Sequence, residues 1–465
     1  MEGNLMEMDW EQLREQLLEG LHEKRYGFVR ETLVALNPPD IGLLLTEADE
    51  TELTLLFRIL PKELAAEVFV EMDNDQQEIL ISAFSDRELK DVLDEIYVDD
   101  AVDLIEEMPA GVVKRILMHT NPEMRKEINQ LLQYPKDSAG SIMTTEYVDI
   151  KKQMTVGEAF DKIRRTGVDK ETVYTCYVTD ENRRLIGLVT VRDLLLSDYN
   201  QVIGDIMEKN VIYAETLADK EDVAYMFDHY DFLAIPVVDK ERRLVGIVTV
   251  DDAIDVLQEE NTEDIAKMAA VMPSEETYLK TSVWVHSKNR FLWLLFLMLS
   301  ATITGDIIQS YENAFIAIPV LVAFVPMLMG TGGNCGSQSS TMIIRGLALE
   351  EIKFKDFFRV LFKEFRIGAL VGVILALVNM ARIYIMYSGN AEIISQVGLL
   401  KLSIISGLSL ICTVVLAKCI GCILPLLAKK CKLDPALMAA PLLTTILDAC
   451  SVLVFFNIAM KILGL

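Results

Sequence analysis

One run constrains this chain more than any other: residues 313–344 contain no Asp, Glu, Lys or Arg. A spanning helix needs about 20 mostly apolar residues to cross about 30 Å of hydrocarbon, and this run is longer than that. Four further stretches meet the same criterion, 291–309, 367–387, 402–427 and 435–460. Backbone in hydrocarbon must satisfy its own hydrogen bonds, so each stretch is expected to be a helix. The reading is a five-helix all-α transmembrane domain over 287–465.

Charge separates this region from the rest. The 465-residue chain carries a net −26, yet residues 286–465 hold 15 basic and 9 acidic side chains. Residues 1–285 hold 29 basic against 61 acidic. An acidic soluble half thus precedes an apolar, mildly basic one. Phosphate binding needs a basic surface, so a nucleic-acid partner is disfavoured. An acidic face attracts cations instead. A monomeric soluble enzyme is all but excluded, and no nucleophile–base pair or Walker A sequence stands out.

The loops set an expected orientation. Arg345, Lys353, Lys355, Arg359, Lys363 and Arg366 follow the second stretch, and Lys429, Lys430 and Lys432 follow the fourth, whereas only Glu312 follows the first. Basic loops remain cytoplasmic. The expectation is a multi-pass protein of the cell (inner) membrane, acidic half inside and Leu465 outside. Cysteine usage agrees: of seven Cys only Cys176 lies in the acidic half, which fits a reducing compartment. Cys419-x-x-Cys422 lies inside an apolar run and reads as packing. Residues 1–20 are acidic and helical in pattern, without the apolar centre of a signal peptide.

Two features of the apolar half carry chemistry. Asp448 lies near the middle of the fifth stretch, where an ionised carboxylate costs about 2.5–3.5 kcal/mol or more. Thr444, Thr445 and Ser451 fall four and three residues before it and three after, on the same helical face. The second feature is the run Gly330-Thr331-Gly332-Gly333-Asn334-Cys335-Gly336-Ser337-Gln338-Ser339-Ser340-Thr341. Small residues permit close helix packing. Its glycines are also expected to unwind the helix and expose carbonyls, with Asn334 and Gln338 adding amide oxygens. A carboxylate with carbonyl and amide oxygens suits a hard cation such as Mg²⁺.

In the acidic half, residues 1–135 read as short amphipathic helices with Pro61, Pro109 and Pro122 at helix starts, an all-α helical-repeat domain. Residues 136–258 hold an internal repeat, 137–198 and 200–258. Gly140-Ser141-Ile142-Met143 recurs as Gly204-Asp205-Ile206-Met207, and Arg184-Leu185-Ile186-Gly187 as Arg243-Leu244-Val245-Gly246. Each unit reads as strand, helix, strand, turn, strand, helix, and two such α/β units form one module. The Thr and Asp opening each final helix are caps, and they also sit where a ribose hydroxyl could be held. Residues 251–276 are dense in acids, including Glu275 and Glu276. Asp252, Asp255 and Glu259 share one helix face, where like charges repel unless a cation screens them. Residues 259–286 are expected to form a helix connecting the module to the first span.

Taken together, these motifs resemble the MgtE family of Mg²⁺ transporters and channels over nearly the whole chain. The resemblance is carried by Gly333-Asn334-Cys335-Gly336-Ser337-Gln338 and by the run Asp434-Pro435 through Pro441, Thr444, Thr445 and Asp448. It implies a multidomain membrane protein with an acidic helical N domain, a tandem CBS pair, a connecting helix and five spans. It implies a homodimer in the lipid bilayer, with the pore on the two-fold axis. Asp448 of each copy would hold a largely hydrated Mg²⁺, with Asn334 beside it and Gly333, Thr444 and Thr445 around it. It further implies regulatory Mg²⁺ at Glu67, Asp99, Asp100, Asp103, Asp219, Glu221, Asp231, Asp252, Asp255, Glu260 and Glu263. ATP at the CBS pair would be read by Arg192 and Asp193. The expected function is passive Mg²⁺ uptake closed by cytosolic Mg²⁺. The alternatives are a broader Co²⁺/Mn²⁺ channel and a membrane-anchored Mg²⁺ or nucleotide sensor that conducts nothing.

Overall fold

The computed structural model describes residues 10–46, 48–274, 278–279, 281–312, 316, 318–349, 351–438 and 440–464. Residues 1–9, Glu275, Glu276 and Asn313, on which some of the expectations above fall, lie outside the described residues. Contacts divide the chain into two units, 1–258 and 259–465.

The first unit opens with ten short helices: α1 (Trp10–His22), α2 (Tyr26–Val34), α3 (Pro38–Leu45), α4 (Glu50–Ile59), α5 (Lys62–Val70), α6 (Asn74–Ala83), α7 (Asp86–Leu93), α8 (Val98–Glu107), α9 (Ala110–His119) and α10 (Pro122–Leu131). Each is too short to persist alone in water, so tertiary packing and caps must hold it. Asp49 and Ser85 form capping boxes with Glu52 and Glu88, and Asn121 accepts from Met124 N. Pro61 and Pro109 stand at N-caps, while Pro38 and Pro122 open their helices. Helices two apart in sequence pack together along the series, the arrangement of a helical array. Phe57, Phe69 and Phe84 meet in its core, with ring centroids 5.4–6.4 Å apart.

The repeat follows as two three-stranded sheets. The first holds β1 (Asp149–Lys151), α11 (Val156–Thr166), β2 (Thr175–Thr179), β3 (Leu185–Thr190) and α12 (Val191–Leu196). After α13 (Ile203–Ile206), the second holds β4 (Ala214–Glu215), α14 (Lys220–Tyr230), β5 (Ala234–Val238), β6 (Leu244–Thr249) and α15 (Val250–Met268). In each sheet the first strand pairs parallel with the second, and the second antiparallel with the third. The register slips at equivalent places, Val178/Thr179 and Val237/Val238.

The repeated glycines and methionines have one explanation. The lead-in to each repeat pairs with the third strand of the other: Thr144 exchanges both backbone bonds with Ile247, and Glu208 both with Leu188. A Cβ on Gly187 would stand 2.8 Å from Met207 Sδ, and one on Gly246 would stand 2.7 Å from Met143 Sδ. Gly at both sites lets the crossing chain and its Met seat on the strand.

Residues 259–286 do not form one connecting helix. Residues 259–268 complete α15, which ends with Val271 N donating to Ala266 O and Ala270 N to Lys267 O, Ala270 being left-handed at φ 55°. Pro273 two residues later lacks an N–H and disfavours helix at Met272. A new helix begins only after Ser282, whose hydroxyl accepts from Val285 N.

The second unit contains five helices long and apolar enough to span a bilayer. They are α16 (Val283–Ser310), α17 (Val325–Ala348), α18 (Phe357–Tyr387), α19 (Leu399–Lys430) and α20 (Ala440–Leu463). Short 3₁₀ turns, Pro319–Phe324 and Pro435–Met438, lead into α17 and α20. α19 is the most enclosed of the five, packing on α17, α18 and α20. Phe324, Phe455 and Phe456 are fully buried.

Candidate functional site

The glycine run does not unwind. Residues 330–336 lie inside the continuous α17, and the missing side chains of Gly332, Gly333 and Gly336 serve helix contact instead. A Cβ on Gly333 would come 3.0 Å from Thr444 Cγ2, and one on Gly332 would come 2.8 Å from Ser451 Oγ. Gly421 of α19 is closer still, since a Cβ there would stand 2.5 Å from Gly336 O. Three helices therefore meet through glycine, as small residues allow in apolar surroundings. The carbonyl oxygens of 330–333 stay within the helix backbone, which corrects the expectation that they are offered to an ion.

This packing positions the polar stripe of α20. Thr444 and Thr445 hydroxyls both donate to Pro441 O, at 3.0 and 3.1 Å. Their donors are spent on the helix, and their oxygens retain accepting capacity. Ser451 is buried, while Asp448 is partly buried. Among the described residues no Lys, Arg or His lies within ion-pair distance of Asp448. Asn334 and Gln338 are exposed in the single chain and line a cavity of about 1430 Å³. Sequence reasoning missed the network on its wall. Glu364 of α18 accepts from Ser339 Oγ at 2.5 Å, and the buried Lys418 of α19 donates to Gln338 Oε1 at 3.3 Å. The signal was available, because Lys418 is a cation inside an apolar run.

The soluble unit gathers a second set. Asp99 and Asp100 open α8, Asp103 lies one turn on, and Asp252 opens α15. Burial first, then the neighbouring carboxylates, push Asp99 and Asp252 up to about 7 and Asp100 up to about 6. The Asp103 side chain reaches the exposed rim, yet crowding by surrounding atoms and then Asp252 raise it to about 8. Glu171, in the loop before β2, rises to about 8 for the same reasons, burial and then Asp99. The Thr249 hydroxyl donates to Asp252, which caps α15. Asp255 is raised by burial and then by Asp251, and Glu71 by burial and then by Asp255.

Other expected ligands are not drawn into this cluster. Glu67 is exposed on α5. Asp219 caps α14 by accepting from Glu221 N at 3.0 Å, and Asp231 ends the same helix in a left-handed conformation. Glu263 pairs with Lys267 at 2.9 Å, and the same ammonium reaches Asp434 at 2.7 Å. Glu260 is half-buried on α15. Conversely, sequence reasoning passed over Glu146 and Glu171, which come from irregular segments with no periodicity to mark them.

Between the two repeats lies a cavity of about 860 Å³ lined by Tyr174, Thr190, Arg192, Asp231 and Phe232 among others. Asp193 is not among its lining residues. Thr190 Oγ1 donates to the Asp193 carboxylate at 2.6 Å, and Asp193 N donates back to Thr190 Oγ1 at 3.2 Å. Asp193 is thus committed to a capping box, and the acids that line the cavity are Glu208 and Asp231.

Comparisons with known proteins follow the same division. A profile for the MgtE intracellular N domain matches residues 36–137, CBS domain profiles match 139–199 and 203–259, and the MgtE divalent cation transporter profile matches 325–458. The magnesium transporter MgtE of Thermus thermophilus is 36% identical over 97% of this chain and 99% of its own length. That of Bacillus subtilis is 32% identical over 97% and 98%. Among solved structures, the cytosolic domain of the Mg²⁺ channel MgtE in complex with ATP is 37% identical, with a TM-score of 0.50 over 52% of this chain and 99% of that one. The soluble part of a magnesium transporter is 34% identical, with a TM-score of 0.51 over 54% and 99%. With such identity over nearly the whole of both chains, the chain belongs to the MgtE family of divalent cation transporters.

Proposed function

We propose that the chain is a passive, gated pathway for Mg²⁺ entry, with Asp448 as the carboxylate the ion passes. One observation carries this reading. Asp448 stands inside an apolar spanning helix, with no cation in ion-pair reach among the described residues and with hydroxyls and glycine-lined packing beside it. A charge at that depth is retained where it faces a protein interior or an ion path. Mg²⁺ sheds water reluctantly and is held by few carboxylates, so one Asp from each of two copies on a shared axis suffices, with Asn334 as an outer contact. Inward movement gains about 2.3 kcal/mol per elementary charge per 100 mV, which makes hydrolysis unnecessary.

Regulation is assigned to the soluble unit, and the basic loops support a position for it on the cytoplasmic side of the cell membrane. Its carboxylates repel one another when bare. Mg²⁺ binding at Asp99, Asp100, Asp103 and Asp252, with Asp255, Glu260 and Glu263 along α15, would favour the state in which they lie together and close the pathway. The cavity between the CBS repeats has the size and chemistry for ATP: Arg192 for phosphate, an aromatic ring at Tyr174 or Phe232 for the base, and Asp231 for ribose hydroxyls. A second reading, a pathway for several divalent ions, follows from the breadth of the family description, and Co²⁺ or Mn²⁺ competition separates the two. The primary test is growth and Mg²⁺ uptake in a strain lacking Mg²⁺ transport. The wild-type chain restores both and Asp448→Ala restores neither; restoration by Asp448→Ala would remove this carboxylate from the pathway.

A further inference from the structure

We infer that the cavity between α17, α18 and α19 seats the phosphate of an anionic lipid, held by Arg359 and Lys363 above the buried Lys418. The inference rests on the transport reading and adds a membrane component to it. The cavity, of about 1430 Å³, is lined by Asn334 and also by four cations, Arg345, Arg359, Lys363 and Lys418. Cations on the wall of a cation pathway oppose the ion they are meant to pass, so a counter-charge is called for.

The protein supplies only part of that counter-charge. Arg345 lies 3.9 Å from Glu351, which leaves Arg359, Lys363 and Lys418 against Asp356 and Glu364. Both acids are engaged elsewhere: Asp356 accepts from Lys353 N at 3.2 Å, and Glu364 from Ser339 Oγ at 2.5 Å. Among the described residues none of the three cations has a carboxylate in ion-pair distance. Lys418 is 6% exposed inside an apolar spanning helix, where an ammonium is costly and calls for a partner. It carries three donors, and across the cavity one of them reaches Gln338 Oε1 at 3.3 Å. A phosphate has several strong acceptor oxygens and can take donors from Lys418, Lys363 and Arg359 together.

Depth and surroundings select a lipid over a free anion. The apolar stretch of α18 begins at Ile367, and Lys363 and Arg359 precede it by four and eight residues. At the rise of an α-helix these are about 6 and 12 Å outside the hydrocarbon, and the headgroup layer of one leaflet is about 5–8 Å thick. The same turns of α18 expose Phe358, Phe362 and Phe365. A basic seat and an apolar surface thus adjoin on one helix, which matches a molecule with a phosphate and an acyl chain. Basic pockets between spanning helices on the side of the basic loops are where anionic headgroups bind.

The test uses the full chain, purified. Thermal unfolding in detergent is recorded with added short-chain phosphatidylglycerol, phosphatidylcholine or inorganic phosphate, and Mg²⁺ flux in vesicles of phosphatidylcholine with and without phosphatidylglycerol. Phosphatidylglycerol alone should raise the wild-type melting temperature and should raise flux several-fold. Both responses should vanish in the double variant Arg359→Gln, Lys363→Gln. They should persist in Lys355→Gln, Arg366→Gln, which removes the same charge from the same segment but outside the cavity lining. That control matters because an anionic surface also concentrates Mg²⁺ by itself. Equal losses in the two double variants, or a wild type indifferent to phosphatidylglycerol, would overturn the seat. An equal melting shift from inorganic phosphate would overturn the lipid as its occupant. A melting shift that follows the prediction, with no flux in any lipid, would instead overturn the transport reading, since the shift does not depend on flux.

Discussion

The two units use carboxylates in opposite ways. In the soluble unit Asp99, Asp100, Asp103, Glu171 and Asp252 crowd together and raise one another, with no basic partner in ion-pair reach among the described residues. In the membrane unit Asp448 stands, among the described residues, with hydroxyls and close-packed glycines and no second carboxylate in its helix. Crowding makes a site that is costly when empty and stabilised when occupied, which suits a sensor. A single carboxylate per chain would hold an ion without trapping it, which suits the proposed pathway, since conduction requires binding weak enough to leave.

The contrast is broken most sharply by exchange of the two losses. Asp448→Ala should reduce Mg²⁺ flux to background while leaving Mg²⁺ binding to the isolated acidic cluster of the soluble unit, read by titration, unchanged. Asp252→Asn should do the reverse, leaving flux intact and weakening its inhibition by cytosolic Mg²⁺. Retained flux in the first variant, or lost flux in the second, would dissolve the distinction.

A smaller effect concerns pH. A carboxylate raised on folding contributes stability that is fully present below its unfolded value of about 4 and is lost as pH rises through its folded value. With Asp100 at about 6 and Asp103 and Glu171 at about 8, metal-free protein should lose stability between about pH 4 and pH 8. Asp252→Asn should recover part of it, on the order of a few kcal/mol at the upper end. Saturating Mg²⁺ should flatten the profile, and chemical unfolding with and without chelator reads both.

Helix packing gives the next scale. Gly421→Ala places a Cβ against Gly336 O, and overpacking of this kind costs about 1–3 kcal/mol. Thermal inactivation in detergent should shift down accordingly, whereas Gly330→Ala, where a Cβ meets nothing within 4 Å, should be silent. The smallest effect is at Lys267, whose partly exposed ammonium joins Glu263 and Asp434. Lys267→Met should cost about 1 kcal/mol or less, and less again at high salt.

Much of this was legible because periodicity or repetition marked it. The recurrence of Gly187 at Gly246 and of Met143 at Met207 announced a duplicated unit, and the structure shows why the pair must recur together. Apolar runs announced the five helices, and Asp448 announced itself by its cost. What escaped lacks such marks. Glu146 and Glu171 lie in irregular segments, where only the fold decides that they meet Asp99. The glycines before Asn334 looked like an unwound segment because intrinsic propensity disfavours helix there, but contact with Thr444 and Ser451 outweighs propensity. The break after Met268 was readable from Pro273 and was obscured by the acidic helical pattern on its N-terminal side.

The most direct measurement is Mg²⁺ flux into vesicles carrying the purified chain, with Mg²⁺ varied on the face of the soluble unit. The account predicts flux that is high when that face is metal-free and falls as Mg²⁺ there rises, with the fall blunted in Asp252→Asn and no flux at either extreme in Asp448→Ala. Flux that is indifferent to Mg²⁺ on that face, or that persists without the Asp448 carboxylate, would contradict it.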